Sequence, residues 1–330
     1  PCGVLILSPF PALANTDRVI WLGTPQGKVV TALHYQQAWY GSGFKEEGGW
    51  SLECMDADNL CGDGSNWTAS VDSTGGTPGR PNAVSSVNPD NRPPRVSRLS
   101  LPDSITIELL FSKGLQPELA SDPSRFQLWG GQTFVAEAAV VAPLYQRIRL
   151  SLSQPLEADR SYELALSGLM SLSGLEMGDT CMKVGLPMKP DSFDLSLNEL
   201  FFNPIGEGFD YVEVVNRSGR CVDLSTVCVT TRTDDGRFKA AVRLTTEHIP
   251  AMPGTYWLLS SAGEMLADAW AADSLGRFLT LPSLPSLPDD KGNLVLLTTD
   301  GSVVDEVDYS AAWHLALMSD KEGVALEKIH

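Results

Sequence analysis

The 330-residue chain carries 41 acidic against 24 basic residues, a net charge of −17, and its pI lies near 4.6. That field repels a phosphate backbone and argues against nucleic acid as a partner of the whole chain. With 43% hydrophobic and 20% charged residues it is composed like a folded protein with room for two or three cores. No window reaches the roughly 18 uninterrupted apolar residues of a transmembrane segment.

Residues 4–53 and 278–327 align without a gap, with identity at 15 of 50 positions. Among the pairs are Leu22/Leu296, Thr24/Thr298, Gly27/Gly301, Val30/Val304, Tyr35/Tyr309, Trp39/Trp313 and Glu53/Glu327. Apolar residues, turn glycines and aromatics repeat, while no set of nucleophiles, bases or metal ligands repeats with them. A duplicated scaffold of this kind implies architecture or binding before catalysis. The opening at Pro1-Cys2-Gly3, without an initiator Met or a leader, reads as a fragment or processed product.

Downstream, Gly75–Asn91 is rich in Gly, Pro, Ser and Asn and reads as a linker or strand-end exit. Ser104–Phe111 alternates, placing Ile105, Ile107, Leu109 and Phe111 on one face. Arg147–Leu152 and Tyr162–Leu166 alternate likewise. A second Pro-bearing stretch, Gly185–Asp194, precedes further strands, of which Tyr211–Val215 and Leu294–Leu297 read as buried. Glu264–Ala272 has helix-forming composition and predicts a short helix or compact loop. Regular short strands with turn signals between them indicate an all-β chain of tandem immunoglobulin-like β-sandwiches. The expected boundaries are 1–88, 89–190 and 191–330.

Candidate chemistry is sparse. Asp56, Asp58 and Asp63 form an acidic loop, but Leu60 stands where an EF-hand needs a ligand, so calcium is a weak candidate there. Cys54/Cys61 and Cys221/Cys228 each sit seven apart, a spacing that allows short-loop disulfides; buried free thiols are the alternative. Glu199, Asp210 and Glu213 are carboxylates on neighbouring strands, where a catalytic pair would need facing carboxyls at a defined separation; the family resemblance given below implies turn and strand-edge hydrogen bonding for them instead. The aromatics Tyr35, Trp39, Tyr40, Trp50 and Trp67 could form a ligand platform. Their repetition as Tyr309 and Trp313 favours packing between sheets. His314 reads as a surface residue. Asn66 and Asn216 open N-glycosylation sequons, which the bacterial resemblance given below implies are coincidental. Phosphate-binding loops, dinucleotide fingerprints and hydrolase motifs do not occur.

Residues 195–225 carry Asn198-Glu199, Asn203-Pro204, Asp210-Tyr211-Val212-Glu213, Asn216 and Asp223-Leu224-Ser225 in order. Asp300-Gly301, Val303-Val304-Asp305, Tyr309, Trp313 and Gly323–Glu327 follow. This series resembles a bacterial lamin-tail domain over nearly all of 195–330. Residues 1–88 resemble the back half of a second such domain, with the tail Trp50-Ser51-Leu52-Glu53, Asn66-Trp67 and Gly75–Asn82 similar to surface and secreted proteins of Bacteroidetes-type bacteria. Nothing in 1–88 matches 195–275, so the missing strands are expected to come from upstream sequence, a separate chain or other parts of a parent protein. Residues 92–188 resemble a bacterial Ig-like domain of surface-layer proteins.

The resemblance implies a non-enzymatic extracellular or cell-surface segment that spaces or docks protein partners, with no cofactor. Two alternatives are an accessory region of a larger secreted hydrolase and an exposed subunit of an outer-membrane complex.

Overall fold

The structure is a computed structural model that describes residues 8, 10–60, 62–206, 208–262, 277–315 and 320–329. The stretch 264–272 lies outside the described residues. Strand is the dominant element throughout, in several separate sheets, and the fold is all-β.

Four strands come first: β1 (Asp17–Gly23), β2 (Val29–Gln36), β3 (Leu52–Cys54) and β4 (Trp67–Ala69). They form two two-stranded ladders, β1–β2 and β3–β4. Seven more follow: β5 (Val96–Asp103), β6 (Thr106–Phe111), β7 (Phe126–Trp129), β8 (Val135–Val141), β9 (Arg147–Leu152), β10 (Ser161–Leu166) and β11 (Thr180–Gly185). They make a sheet of order β5-β6-β9-β8 and one of order β11-β10-β7, which share a single core. That core follows the alternation: Ile107, Leu109, Ile148, Leu150, Leu164 and Leu166 point inward. Ile105 does not join them. It precedes the first residue of β6 and is exposed.

The remaining strands are β12 (Leu195–Phe201), β13 (Tyr211–Asn216), β14 (Val222–Asp223), β15 (Val227–Thr230), β16 (Val242–Arg243), β17 (Pro250–Ala251), β18 (Tyr256–Ser260), β19 (Phe278–Thr280), β20 (Lys291–Thr298), β21 (Val303–Ser310) and β22 (Leu326–Glu327). A five-stranded sheet β19-β18-β13-β12-β22 packs against the sheet β16-β15-β20-β21 over a second core. β14 and β17 pair separately.

The duplicated segment folds as one motif twice. Asp17 faces Gln36 and Leu22 faces Thr31, just as Lys291 faces Ser310 and Leu296 faces Asp305. In both hairpins the register slips at the same place, leaving Val30 or Val304 as the extra residue of a bulge. The repeated Thr24 and Thr298 close their turns by accepting from Lys28 N and Ser302 N. Gly27 and Gly301 hold φ of 83° and 89°, a left-handed conformation that excuses no other residue as cheaply. Tyr35 and Tyr309 donate to the carbonyls of Ala14 and Pro288 at 2.7 and 3.0 Å, tying each hairpin to the segment that leads into it.

The stretch read as a linker is docked. Asn88 N donates to Asp56 Oδ2, and the Asn88 amide reaches Ser65 O and Asn66 Oδ1. Two residues on, Asp90 accepts from Lys113 Nζ at 2.6 Å and from Ser173 Oγ at 2.5 Å. The Asp90 and Lys113 side chains are only 4% and 6% exposed. Burial alone would raise the Asp90 carboxyl, but the bonds from Lys113 and Ser173 outweigh it and hold it below its usual range.

At the other junction Glu247 meets Arg98 at 3.2 Å and Arg147 at 3.3 Å, and Leu101 N donates to His248 O at 2.8 Å.

Candidate interaction surface

The two hairpins share a scaffold and differ in cover. Leu296 and Val304 are 0% and 1% exposed, within the core built by β12, β13, β15 and β18. Their identical counterparts Leu22 and Val30 are 61% and 62% exposed. Leu287, on the connector before β20, is 4% exposed, whereas its counterpart Leu13 is 53% exposed. Burying such a side chain fully contributes about 1.5–3 kcal/mol, so the first copy forgoes several kcal/mol that the second gains. Trp21 and Val19, which alternate with Leu22 along β1, are exposed on its opposite face.

The backbone is open as well. β20 lies between β15 and β21, pairing Val227 with Thr298 and Val229 with Leu296. β1 pairs with β2 alone, so its other edge, Trp21–Thr24, has no neighbouring strand among the described residues. On β22, Lys328 N donates toward β12, to Asn198 O. The counterpart of Lys328 is Cys54. On β3 it is Ser51 N and Met55 N that reach Gly75 O and Asn66 O, on the β4 side. Successive amides of a strand point to opposite edges, so the Cys54 amide faces away from β4. The tail thus adds β4 on one side of β3 and also reaches the other, where Asn82 Nδ2 donates to Cys54 O at 2.9 Å, so the β12-type edge is partly taken.

The first copy keeps a small core of its own. Leu33 is buried beneath Gly62, and Glu53 is buried with Thr77 Oγ1 at 2.7 Å and Ala83 N at 2.8 Å. The aromatics brace this region. Trp39 lies against Gly64, Tyr40 donates to Trp50 O, and Trp50 meets Phe44 edge-on with Lys45 over its ring. They are half-buried supports; of their second-copy counterparts, Tyr309 is core while Trp313 is 62% exposed, contrary to the expected packing.

In the acidic loop Asp56 and Asp63 are engaged by nearby backbone amides and by an arginine. Asp56 accepts from Asp58 N and Asn88 N, while Asp63 accepts from Ser65 N and Arg92 Nη2. No group of three or more His, Cys, Asp or Glu side chains suited to a metal ion occurs among the described residues, Asp56, Asp58 and Asp63 included.

Cys221 and Cys228 are free thiols and are not bridged. Cys228 alternates with core residues Val227 and Val229 and so leaves the core face, whereas Cys221 is buried with its Sγ toward Gly185 O. Burial, with the Asp223 charge beside it, pushes the Cys221 thiol up to about 12. Cys54 is also free and donates to Asp56 O; Cys61 lies outside the described residues.

Glu199 and Glu213 stand directly opposite on β12 and β13, with Glu327 on the far side of Glu199. Glu199 accepts from Tyr211 and Glu213 from Asn198 at 2.7 Å. Asp210 is held apart, raised by burial and by Asp289. His314, expected at the surface, is buried, with its ring nitrogens 3.1 and 3.0 Å from Ala311 O and Val324 O and its edge toward Phe202. The sequon side chains Asn66 and Asn216 are fully buried and bonded to backbone carbonyls.

One grouping had no sequence signal: Ser225, His248 and Asp223 meet across 25 residues. Both contacts use the same ring nitrogen, His248 Nδ1, at 3.1 and 2.6 Å, so no proton can pass through the ring from Ser to Asp. Asp223 instead caps the short 3-10 turn that follows it, accepting from Ser225 N. Ser225 is fully buried.

No protein-family model matches the chain, and no curated protein matches it. Solved structures similar to it include the N-terminal part of the bacterial S-layer protein SbsC, at 16% identity and a TM-score of 0.25, covering 66% of this chain and 43% of that one. A DUF4876 family protein from Bacteroides thetaiotaomicron matches at 11% identity and 0.24, over 48% of this chain and 58% of that one. Native alpha-2-macroglobulin from Escherichia coli, spanning domains MG0-NIE-MG1, matches at 13% and 0.24, over 72% and 91%. The chain spans about two fifths of the length of the S-layer chains it matches, 43%, 40% and 41% in three structures.

Proposed function

We propose that this chain is a non-enzymatic segment of an extracellular or bacterial cell-surface protein, and that it docks and spaces other polypeptides. Its parts are a partial lamin-tail-like unit over 1–88, an Ig-like spacer over 89–190 and a further lamin-tail-like unit over 191–330. The observation that carries this reading is the contrast between Leu22/Val30 and Leu296/Val304: identical residues on identical hairpins, open in one copy and covered in the other. An open apolar face beside an unpaired strand edge is a binding surface or a hazard. The docked linker supports the spacer role, since it holds the first unit against the second through Asp90 and Asn88. The Ser225–His248–Asp223 grouping supports structure over catalysis, because its geometry serves a cap. The reading calls for no cofactor and places protein, including an outer-membrane assembly, as the partner class.

Cross-linking mass spectrometry on the native complex tests it. Cross-links from Lys28, at the hairpin turn, to another polypeptide are expected. A chain that cross-links to nothing while turning over a substrate would defeat the reading.

A further inference from the structure

Taking the docking reading as its basis, we propose that the open hairpin binds one kind of occupant: a polypeptide segment with the strand pattern of residues 195–260. The second copy supplies the template. There the segment adds β15 antiparallel to β20, with Val227 opposite Thr298, Cys228 opposite Leu297, Val229 opposite Leu296 and Thr230 opposite Val295. The corresponding hairpin positions are Thr24, Gly23, Leu22 and Trp21. An incoming strand of the Val-x-Val-Thr type therefore pairs along Trp21–Thr24 and places its apolar residues over Leu22 and Val30.

In the second copy a further contact accompanies the first. β12 pairs with β22 through Leu200–Leu326 and Glu199–Glu327, whose first-copy counterparts are Leu52 and Glu53. In the first copy Asn82 Nδ2 already holds Cys54 O on the edge of β3 opposite β4, so the proposal rests on the β1 edge and not on β3. The connector is also prepared for the same entry: Pro11 and Leu13 repeat Pro285 and Leu287, and Leu13 is exposed where Leu287 is covered. Strand edge, apolar face and connector all match one occupant, and main-chain pairing with side-chain pockets is how added strands are recognised.

The test uses the full chain and a synthetic segment comprising residues 191–262 of this sequence. The chain's own copy of that segment is already closed onto β20 and β21. Hydrogen exchange at the amides of residues 19–24 is expected to slow about tenfold or more when the segment is added. Leu22→Lys and Val30→Lys should each abolish the effect, whereas Val87→Lys, at 92% exposed, should retain it. A single chain carrying residues 191–281 fused ahead of Ser8, which preserves the spacing of the second copy, should show the same slowing without added segment.

Fast exchange at 19–24 in both the mixture and the fused chain overturns the proposal. So does slow exchange in the chain alone with a dimer by light scattering, which would assign the edge to a second copy of this chain. Native cross-links at Lys28 combined with fast exchange in both arms would leave the docking reading standing and remove this occupant.

Discussion

Removing Asp90 isolates a buried positive charge. Asp90→Ala takes from Lys113 its carboxylate at 2.6 Å and leaves the Arg92 carbonyl, also at 2.6 Å, as its remaining acceptor. Breaking a buried ion pair from one side costs about 3–5 kcal/mol. Retention of the carbonyl bond places the expected loss near the lower end, about 3 kcal/mol. For a unit of this size, 1 kcal/mol moves Tm by about 4–8 °C, so a drop of about 12–24 °C is expected. The assay is urea and thermal unfolding, with hydrogen exchange at Ile148–Leu166 reporting on the middle core. Replacing both partners, Asp90→Leu with Lys113→Met, should recover all but about 1 kcal/mol, because no unpaired charge then remains. A single-variant loss below about 1 kcal/mol, or a double variant as unstable as the single one, would refute the reasoning.

Three further outcomes are expected. Burial raises the Glu213 carboxyl, with Glu199 and Glu327 adding to it against the bond from Asn198, so the folded state holds this proton more tightly than the unfolded chain. Stability from this group is therefore lost as pH rises from the ordinary glutamate value through the raised one, and Glu213→Gln should stabilise at pH 7 and lose that advantage in acid, as read by denaturant midpoints at the two pH values. Glu108 behaves oppositely: burial would raise it, but bonds from Arg149 and Arg147 outweigh that and leave it lowered. Its contribution is present above the ordinary glutamate value and disappears as pH falls through the lowered one, so Glu108→Gln should flatten the acid limb of the pH–stability curve. Gly301→Ala should cost about 1 kcal/mol in unfolding titrations, since φ is 89° with open space around a Cβ; Gly27→Ala should leave that same transition unchanged.

The repeated residues were legible because their roles are local. Thr24, Gly27 and Tyr35 act within their own hairpin, and a gapless alignment preserves both the turn and the bulge. The alternation of Ile148, Leu150 and Leu152 reports burial on one face, and the structure agrees. The other face was not legible: Glu108 is buried because Arg147 and Arg149 lie over it from β9, some 40 residues away. His314 and the docked linker escaped for the same reason, since Phe202 is far in sequence from His314, and Lys113 and Ser173 from Asp90. The exposed site was half legible. The absence of a counterpart to 195–275 in the first copy marked an uncovered hairpin, but that Asn82 would reach back 28 residues to the Cys54 carbonyl on the far edge of β3 is a contact no composition reveals.

The tyrosine tether has a mechanical meaning. Tyr35 clamps the entering chain to its own hairpin, so the connector and the β1–β2 pair are braced against each other within the first copy. An arriving strand meets a rail already laid, and only the newcomer must give up its freedom, which is the condition under which strand addition is tightest.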